Sequence, residues 1–254
     1  MKLVNYQQNG TGPDVLLIHG LFGSMENLNM VAKGLATHYR VTSMDVRNHG
    51  GSFHEKEMAY EVMAQDVITL LDHLDIRETA ILGHSMGGKI AMEVALSFPE
   101  RVSKLLVADI SPVAYPPHHQ QIIQGLQSID LNSISKRKEA DEQLARYVDN
   151  LGVRQFLLRN LAILDGKLHF KCNLDYIAEC YPQIMQGYQG EGQYQGNTLF
   201  IKGGDSDYIR AEHRELIQKL YPNSQAKIIQ GAGHWLHAEK TSIFNKIVGD
   251  FLQS

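Results

Sequence analysis

The sequence predicts an α/β fold: a mostly parallel central sheet with helices on both faces, plus an inserted helical cap. Three observations predict it. Short, wholly apolar runs such as Val15-Leu16-Leu17-Ile18 alternate with stretches whose apolar residues recur at helical spacing. Gly83-His84-Ser85-Met86-Gly87-Gly88 lies between one such run and one such stretch. A long segment, 113–196, breaks the rhythm. Strands alternating with helices pack as a parallel sheet covered on both sides.

The elements follow in order. Residues 2–8 are expected to form an antiparallel edge strand. Val15–Ile18 is a central strand, Glu26–Ala36 a helix and Arg40–Asp45 a strand. Met58–Leu74 is a helix, with apolar residues at 63, 67, 70, 71 and 74. Thr79–Leu82 and Val102–Val107 are strands around the helix that contains Lys89–Leu96. Toward the C-terminus, Thr198–Lys202 and Gln225–Ile229 are strands, and Arg210–Leu220 and Ser242–Leu252 are helices. The core is therefore assigned to 1–112 and 197–254, and the cap to 113–196. The cap opens with Pro112, Pro116 and Pro117, which oppose direct continuation into a helix. It then offers helix-compatible stretches at Ile122–Leu131 and Ile134–Asn150, and ends in the Gly-, Gln- and Tyr-rich run 186–196. A loop of this length without structure would be exceptional, so helices are expected.

Composition narrows the function. The 254 residues are 43% hydrophobic and 20% charged, which fits a globular protein with a sizeable core. The net charge of −4 gives no electrostatic reason to expect nucleic acid as a partner. The N-terminal residues lack an apolar signal-peptide core, and no apolar run is long enough to span a bilayer. A cytoplasmic protein without a membrane partner is expected, as monomer or homodimer. Two cysteines, Cys172 and Cys180, provide neither a disulfide framework nor zinc-ligand spacing, and are expected to pack in the core. No metal or cofactor is expected. The sequence has no H-E-x-x-H, and Gly83–Gly88 is neither G-x-G-x-x-G nor a P-loop.

Strand, G-x-S-x-G, helix is the form of a nucleophile elbow. The glycines allow a turn tight enough to lift the Ser85 hydroxyl above the sheet, and the next helix aims its N-terminus at developing charge. An ordinary Gly/Ser turn is the plainer alternative, and the flanking strand and helix disfavour it. An activated serine needs a base and an acid to orient it. Gly231-Ala232-Gly233-His234-Trp235 directly follows the last strand, so His234 is the candidate base. His237 is the weaker candidate and is expected to help cap the final helix. Trp235 either lines the pocket or packs. Three aspartates stand near strand ends: Asp109, Asp205 and Asp207. The oxyanion needs two backbone donors. The Met86 amide is one, and Leu21, in the glycine-rich loop His19-Gly20-Leu21-Phe22-Gly23-Ser24, supplies the other. Lys89 is expected to face solvent. His118-His119 is read as a solvated cap loop, since adjacent histidines do not easily converge on one ion.

Taken in order, HG-x-x-G-S, D-x-R-x-x-G, G-x-S-x-G-G, D and GH-W resemble the α/β-hydrolase fold superfamily. Asp45-Val46-Arg47-Asn48-His49-Gly50-Gly51-Ser52 resembles its D-x-R-G-x-G-x-S segment, with Asn48 where glycine is usual. Within the superfamily, the loop at His19–Ser24, Asp109-Ile110-Ser111-Pro112-Val113 and Gly233–Lys240 resemble small bacterial YbfF-like acyl esterases and ABHD11-like hydrolases. The resemblance implies a Ser-His-Asp triad acting on short-chain carboxylic esters or thioesters, acyl-CoA included. In this fold the acid usually follows the penultimate strand, which ranks Asp207 first and Asp109, after the strand that follows the elbow helix, second. Carbon–carbon bond hydrolases and lyases share the scaffold and the motif, so they stand as the alternative. A binding protein that has lost catalysis is disfavoured by the intact serine and histidine. Haloalkane dehalogenation is disfavoured because position 85 is not a carboxylate.

Overall fold

The computed structural model describes residues 2–254. A seven-stranded sheet runs β1 (Tyr6–Asn9), β3 (Arg40–Met44), β2 (Asp14–Ile18), β4 (Thr79–His84), β5 (Val102–Ala108), then two strands near the C-terminus. Those last two are β8 (Asn197–Gly203) and β9 (Ser224–Ile229); β6 (Leu161–Leu164) and β7 (Lys167–Phe170) lie in the insert. β1 is antiparallel to β3, the expected edge pairing, but it covers Tyr6–Asn9 and not 2–8, and the other pairings of this sheet are parallel. Alternate residues of the central strands feed different faces. Leu16, Ile18, Ile81, Leu105 and Val107 enter one core, and Val15, Leu17, Leu82, Leu106 and Ala108 the other.

Helices α2 (Tyr60–His73) and α3 (Met86–Ser97) pack on the first face. Helices α1 (Asn29–Leu35) and α10 (Thr241–Gln253) pack on the second, as does Leu236 of the short α9 (Leu236–Glu239). The helix expected over 26–36 divides into a 3-10 turn, Met25–Leu28, and then α1. Likewise 210–220 divides into a 3-10 turn, Ala211–His213, and α8 (Arg214–Leu220). Among the described residues, no helix is long and apolar enough to cross a membrane.

Between β5 and β8 the chain forms α4 (Gln120–Gln127), α5 (Arg137–Leu144), α6 (Leu151–Leu157) and α7 (Leu174–Ile184). The expected helix 134–150 covers only α5, with α6 beyond it. The insert is not purely helical: β6 and β7 pair as an antiparallel hairpin. Its turn is Asp165-Gly166, both at positive φ (50° and 77°). Asp-Gly is the pair that a tight hairpin turn of this hand favours, so the signal was in the sequence. Cys172 and Cys180 are buried and free, as the packing reading required.

Candidate active site

The elbow forms where β4 hands over to α3. Ser85 has φ 55° and ψ −123°, a left-handed strained conformation for a residue with a side chain. The turn tolerates no Cβ at its flanks. One added at Gly83 would lie 2.1 Å from the Gly87 carbonyl oxygen, and one at Gly87 2.3 Å from that of Ile18. The Ser85 amide donates to the Ala108 carbonyl (3.0 Å) and its carbonyl accepts from Gly88 (2.8 Å), so both sides of the strained residue are held.

His234 meets Ser85 from the loop after β9. Its Nε2 lies 3.0 Å from Ser85 Oγ, and its Nδ1 lies 2.7 Å from Asp109 Oδ2. A carboxylate only accepts, so Nδ1 carries the proton and Nε2 presents its lone pair to the serine hydroxyl. The Asp109 side chain is fully buried. Its Oδ1 accepts from the Gly203 amide (2.9 Å), and its Oδ2 also accepts from the Ser206 hydroxyl. Its backbone, at φ 53°, turns the carboxylate back over the sheet.

This reverses the expected ranking of the aspartates. Asp207 is exposed, and the carboxylate that pairs with His234 is that of Asp109; the Asp207 carbonyl accepts from Arg210 Nε (3.1 Å). Asp205 is exposed as well. The loop after β8 turns Ser206, buried, toward Asp109 and leaves its neighbour Asp207 outward. The loop ranked first does reach the site, but it sends a hydroxyl there, and the carboxylate comes from the end of β5.

Two further residues hold the imidazole, and sequence reading did not single them out. Tyr208 stacks on His234 at 3.9 Å between ring centroids and 20° between planes. His84 Nε2–H donates to the His234 carbonyl (2.8 Å). His84 is the variable residue before the elbow serine, a place no pattern assigns a role. His237 does not cap the final helix with its ring, which packs on His84 at 4.4 Å; its carbonyl accepts from Thr241 Oγ1.

The loop carrying Leu21 is anchored by two buried histidines. His19 Nδ1–H donates to the Gly20 carbonyl (2.8 Å) while its Nε2 accepts from Val46 (3.0 Å). His49 Nδ1–H donates to the Arg47 carbonyl (2.9 Å), and its Nε2 accepts from Phe22 (3.1 Å). Both rings must be neutral to play these parts. Beneath them, Asp45 accepts from the Met25 and Gly51 amides and from Asn5 Nδ2. Asn48 sits at φ 64°, where the superfamily pattern has glycine and asparagine is tolerated. Its side chain bonds both backbone groups of Glu55, and its carbonyl accepts from Asn173 at the start of α7.

Lys89 is buried, not solvent-facing. Every α3 residue from Met86 to Leu96 is buried, because the helix lies between the sheet, α2 and the insert. Lys89 Nζ donates to the carbonyls of Val113, at the start of the insert, and Gln186, just past its last helix. The rings of Tyr60 and Tyr115 face its ammonium at 5.5 and 4.8 Å. His118-His119 is not simply a solvated loop either. His118 is exposed, but its Nε2 accepts from the Tyr208 hydroxyl (2.6 Å), and His119 lines the cavity over Ser85. That cavity, about 300 Å³, is walled by Phe22, Ile122, Val153, Phe156, Leu157 and Trp235. Trp235 therefore lines it. No group of three or more side chains able to hold a metal occurs among the described residues.

The neutral histidines predict an acid-sensitive fold. Burial, the largest cause in each case, pushes His49 down to about 3 and His237 down to about 4. Unfolded, each titrates near pH ~6.5. Between those limits the unfolded state holds more protons, so stability is complete above the upper limit and falls as the pH drops. Each such ring contributes up to about 1.4 kcal/mol per pH unit. Melting temperature is expected to rise steadily from about pH 4 to about pH 7, more shallowly in His49→Gln. An equal slope in that variant would contradict this account.

A family model described as alpha/beta hydrolase fold matches residues 13–146. The chain belongs to the α/β-hydrolase fold family. It is 40% identical over 252 residues to the sn-1-specific diacylglycerol lipase ABHD11 of Mus musculus, covering 96% of this chain and 82% of that one. To esterase YbfF of Escherichia coli K12 it is 34% identical over 246 residues, covering 96% and 94%. A solved structure of a marine microorganism esterase superposes with a TM-score of 0.96 at 37% identity, over 99% of this chain and 100% of that one. The resemblance read from the motifs therefore holds across nearly the whole length.

Proposed function

We propose that the protein is a serine hydrolase that cleaves short-chain carboxylic esters or thioesters through an acyl-enzyme on Ser85. The observation that carries this reading is the unbroken chain from Ser85 Oγ through His234 to the buried Asp109. His234 Nε2 takes the hydroxyl proton as Ser85 Oγ attacks the carbonyl carbon. Asp109 keeps the proton of Nδ1 in place and stabilises the imidazolium that forms. The amides of Leu21 and Met86 receive the oxyanion. Met86 opens α3, so its amide has no partner within the helix, and the helix N-terminus adds a favourable field. His234 then protonates the leaving group, and water activated by the same base releases the acid. The names of the relatives, esterase and lipase, support an ester-cleaving hydrolase.

The test is turnover of p-nitrophenyl acetate and butyrate, together with labelling by a fluorophosphonate probe. Both are expected, with the label on Ser85. Inertness toward the esters with turnover of a diketone or a dienyl acid would instead establish the carbon–carbon hydrolase reading.

A further inference from the structure

Two cavities meet at Ser85, and their volumes are about 300 and about 30 Å³. Leu21, Ser85, His118, His119 and Tyr208 line both. The remaining walls differ. His234 lines only the larger cavity, and Met86 only the smaller. This asymmetry orients an ester. The leaving oxygen must take its proton from His234 Nε2, so the group attached to that oxygen extends into the cavity His234 borders. The carbonyl oxygen points at the amides of Leu21 and Met86. The acyl chain, the third substituent of the carbonyl carbon, is left with the cavity beside Met86.

That smaller cavity is short and stiff. At roughly 10–15 Å³ per water-sized group, it holds two or three such groups. Ile110, Ile184 and Met185 give it apolar walls, and the polar groups around it are already engaged. The Tyr60 hydroxyl donates to the Ile184 carbonyl (2.6 Å), the Tyr115 hydroxyl to the Tyr208 carbonyl, and Lys89 to Val113 and Gln186. Displacing Tyr60, Tyr115 or Lys89 would break these bonds, so that part of the wall does not yield to a longer chain. The larger cavity, with Phe22, Phe156 and Trp235 in its wall, suits a bulky aromatic or branched apolar group.

Building on the serine hydrolase reading, we propose that the preferred substrates are acetyl or propionyl esters of bulky apolar alcohols or thiols, with the small half acyl and the large half leaving. The order of the halves follows from which cavity His234 borders.

An isomeric pair of alkyl esters tests the assignment. 2-Naphthylmethyl acetate carries the naphthyl group on the alcohol, and methyl 2-naphthylacetate carries it on the acyl side. The expected result is a kcat/KM higher for the acetate by about tenfold or more. Met185→Ala, which shortens a wall of the small cavity, should raise the ratio of butyrate to acetate turnover by about tenfold for esters of one alcohol. Equal rates for the isomers, preference for the methyl ester, or an unaltered chain-length ratio in a folded Met185→Ala protein would overturn the proposal. So would failure to turn over either isomer while the fluorophosphonate probe still labels Ser85. Absence of labelling together with inertness toward p-nitrophenyl esters would instead remove the serine hydrolase reading itself. Should Met185→Ala not fold, the isomer pair on the unaltered protein still decides.

Discussion

Ser85→Ala is expected to fold normally and to lose roughly a millionfold in ester turnover, because a nucleophile and base that act as a unit fail together when either is removed. The change deletes one oxygen and keeps the Cβ, so the left-handed conformation of residue 85 is neither relieved nor worsened. The amides on both sides of the elbow keep their partners at Ala108 and Ser85. The hydroxyl is not a structural hinge: its partner is His234 Nε2. A melting temperature close to that of the unaltered protein, with no fluorophosphonate labelling, completes the expected result. Substantial ester turnover in well-folded Ser85→Ala would end the acyl-enzyme proposal.

How much of this was legible from residues depends on how local each signal is. The strand–elbow–helix unit was legible because the motif is contiguous and Gly83 is forced by Gly87 and Gly88 within it, although Gly87 is forced by the distant backbone of Ile18 and His19. His234 was legible by its place in a glycine-rich loop just past the last strand. Asp109 against Asp207 was not. Both stand at strand ends, and the choice turns on which side chain a neighbouring loop turns inward, set by the β5–β8 pairing and a φ of 53° at Asp109. Lys89 misled for a related reason. A lysine four residues after the nucleophile reads as solvent-exposed until the insert closes over α3 and offers two carbonyls to its ammonium. The insert was the least legible region, since its helices are short and bury one face against partners far away in sequence. Its hairpin, though, announced itself in Asp165-Gly166.

Asp109→Asn is expected to lower turnover by roughly 10⁴-fold, whereas Asp207→Asn changes it little. The reason is the donor pattern around the buried carboxylate. Oδ1 faces the Gly203 N–H, and Oδ2 faces both the His234 Nδ1–H and the Ser206 hydroxyl. An asparagine has one acceptor oxygen for these two positions. With its oxygen at Gly203, its NH₂ points at His234 Nδ1, which must then give up its proton; Nε2 carries it instead and cannot receive the one from Ser85. In the flipped arrangement the imidazole keeps the right tautomer, but the NH₂ opposes the Gly203 N–H in a fully buried site. That leaves donors unpaired, at a cost of about 1–3 kcal/mol. The first arrangement wins, and with it the inactive tautomer. The Asp207 side chain is exposed and takes no part in the hydrogen bonds to the imidazole or to Asp109, so its replacement touches none of them. Circular dichroism on both variants separates loss of chemistry from loss of fold. A folded Asp109→Asn protein that retains activity, beside an Asp207→Asn protein that loses it, would return the orienting role to Asp207.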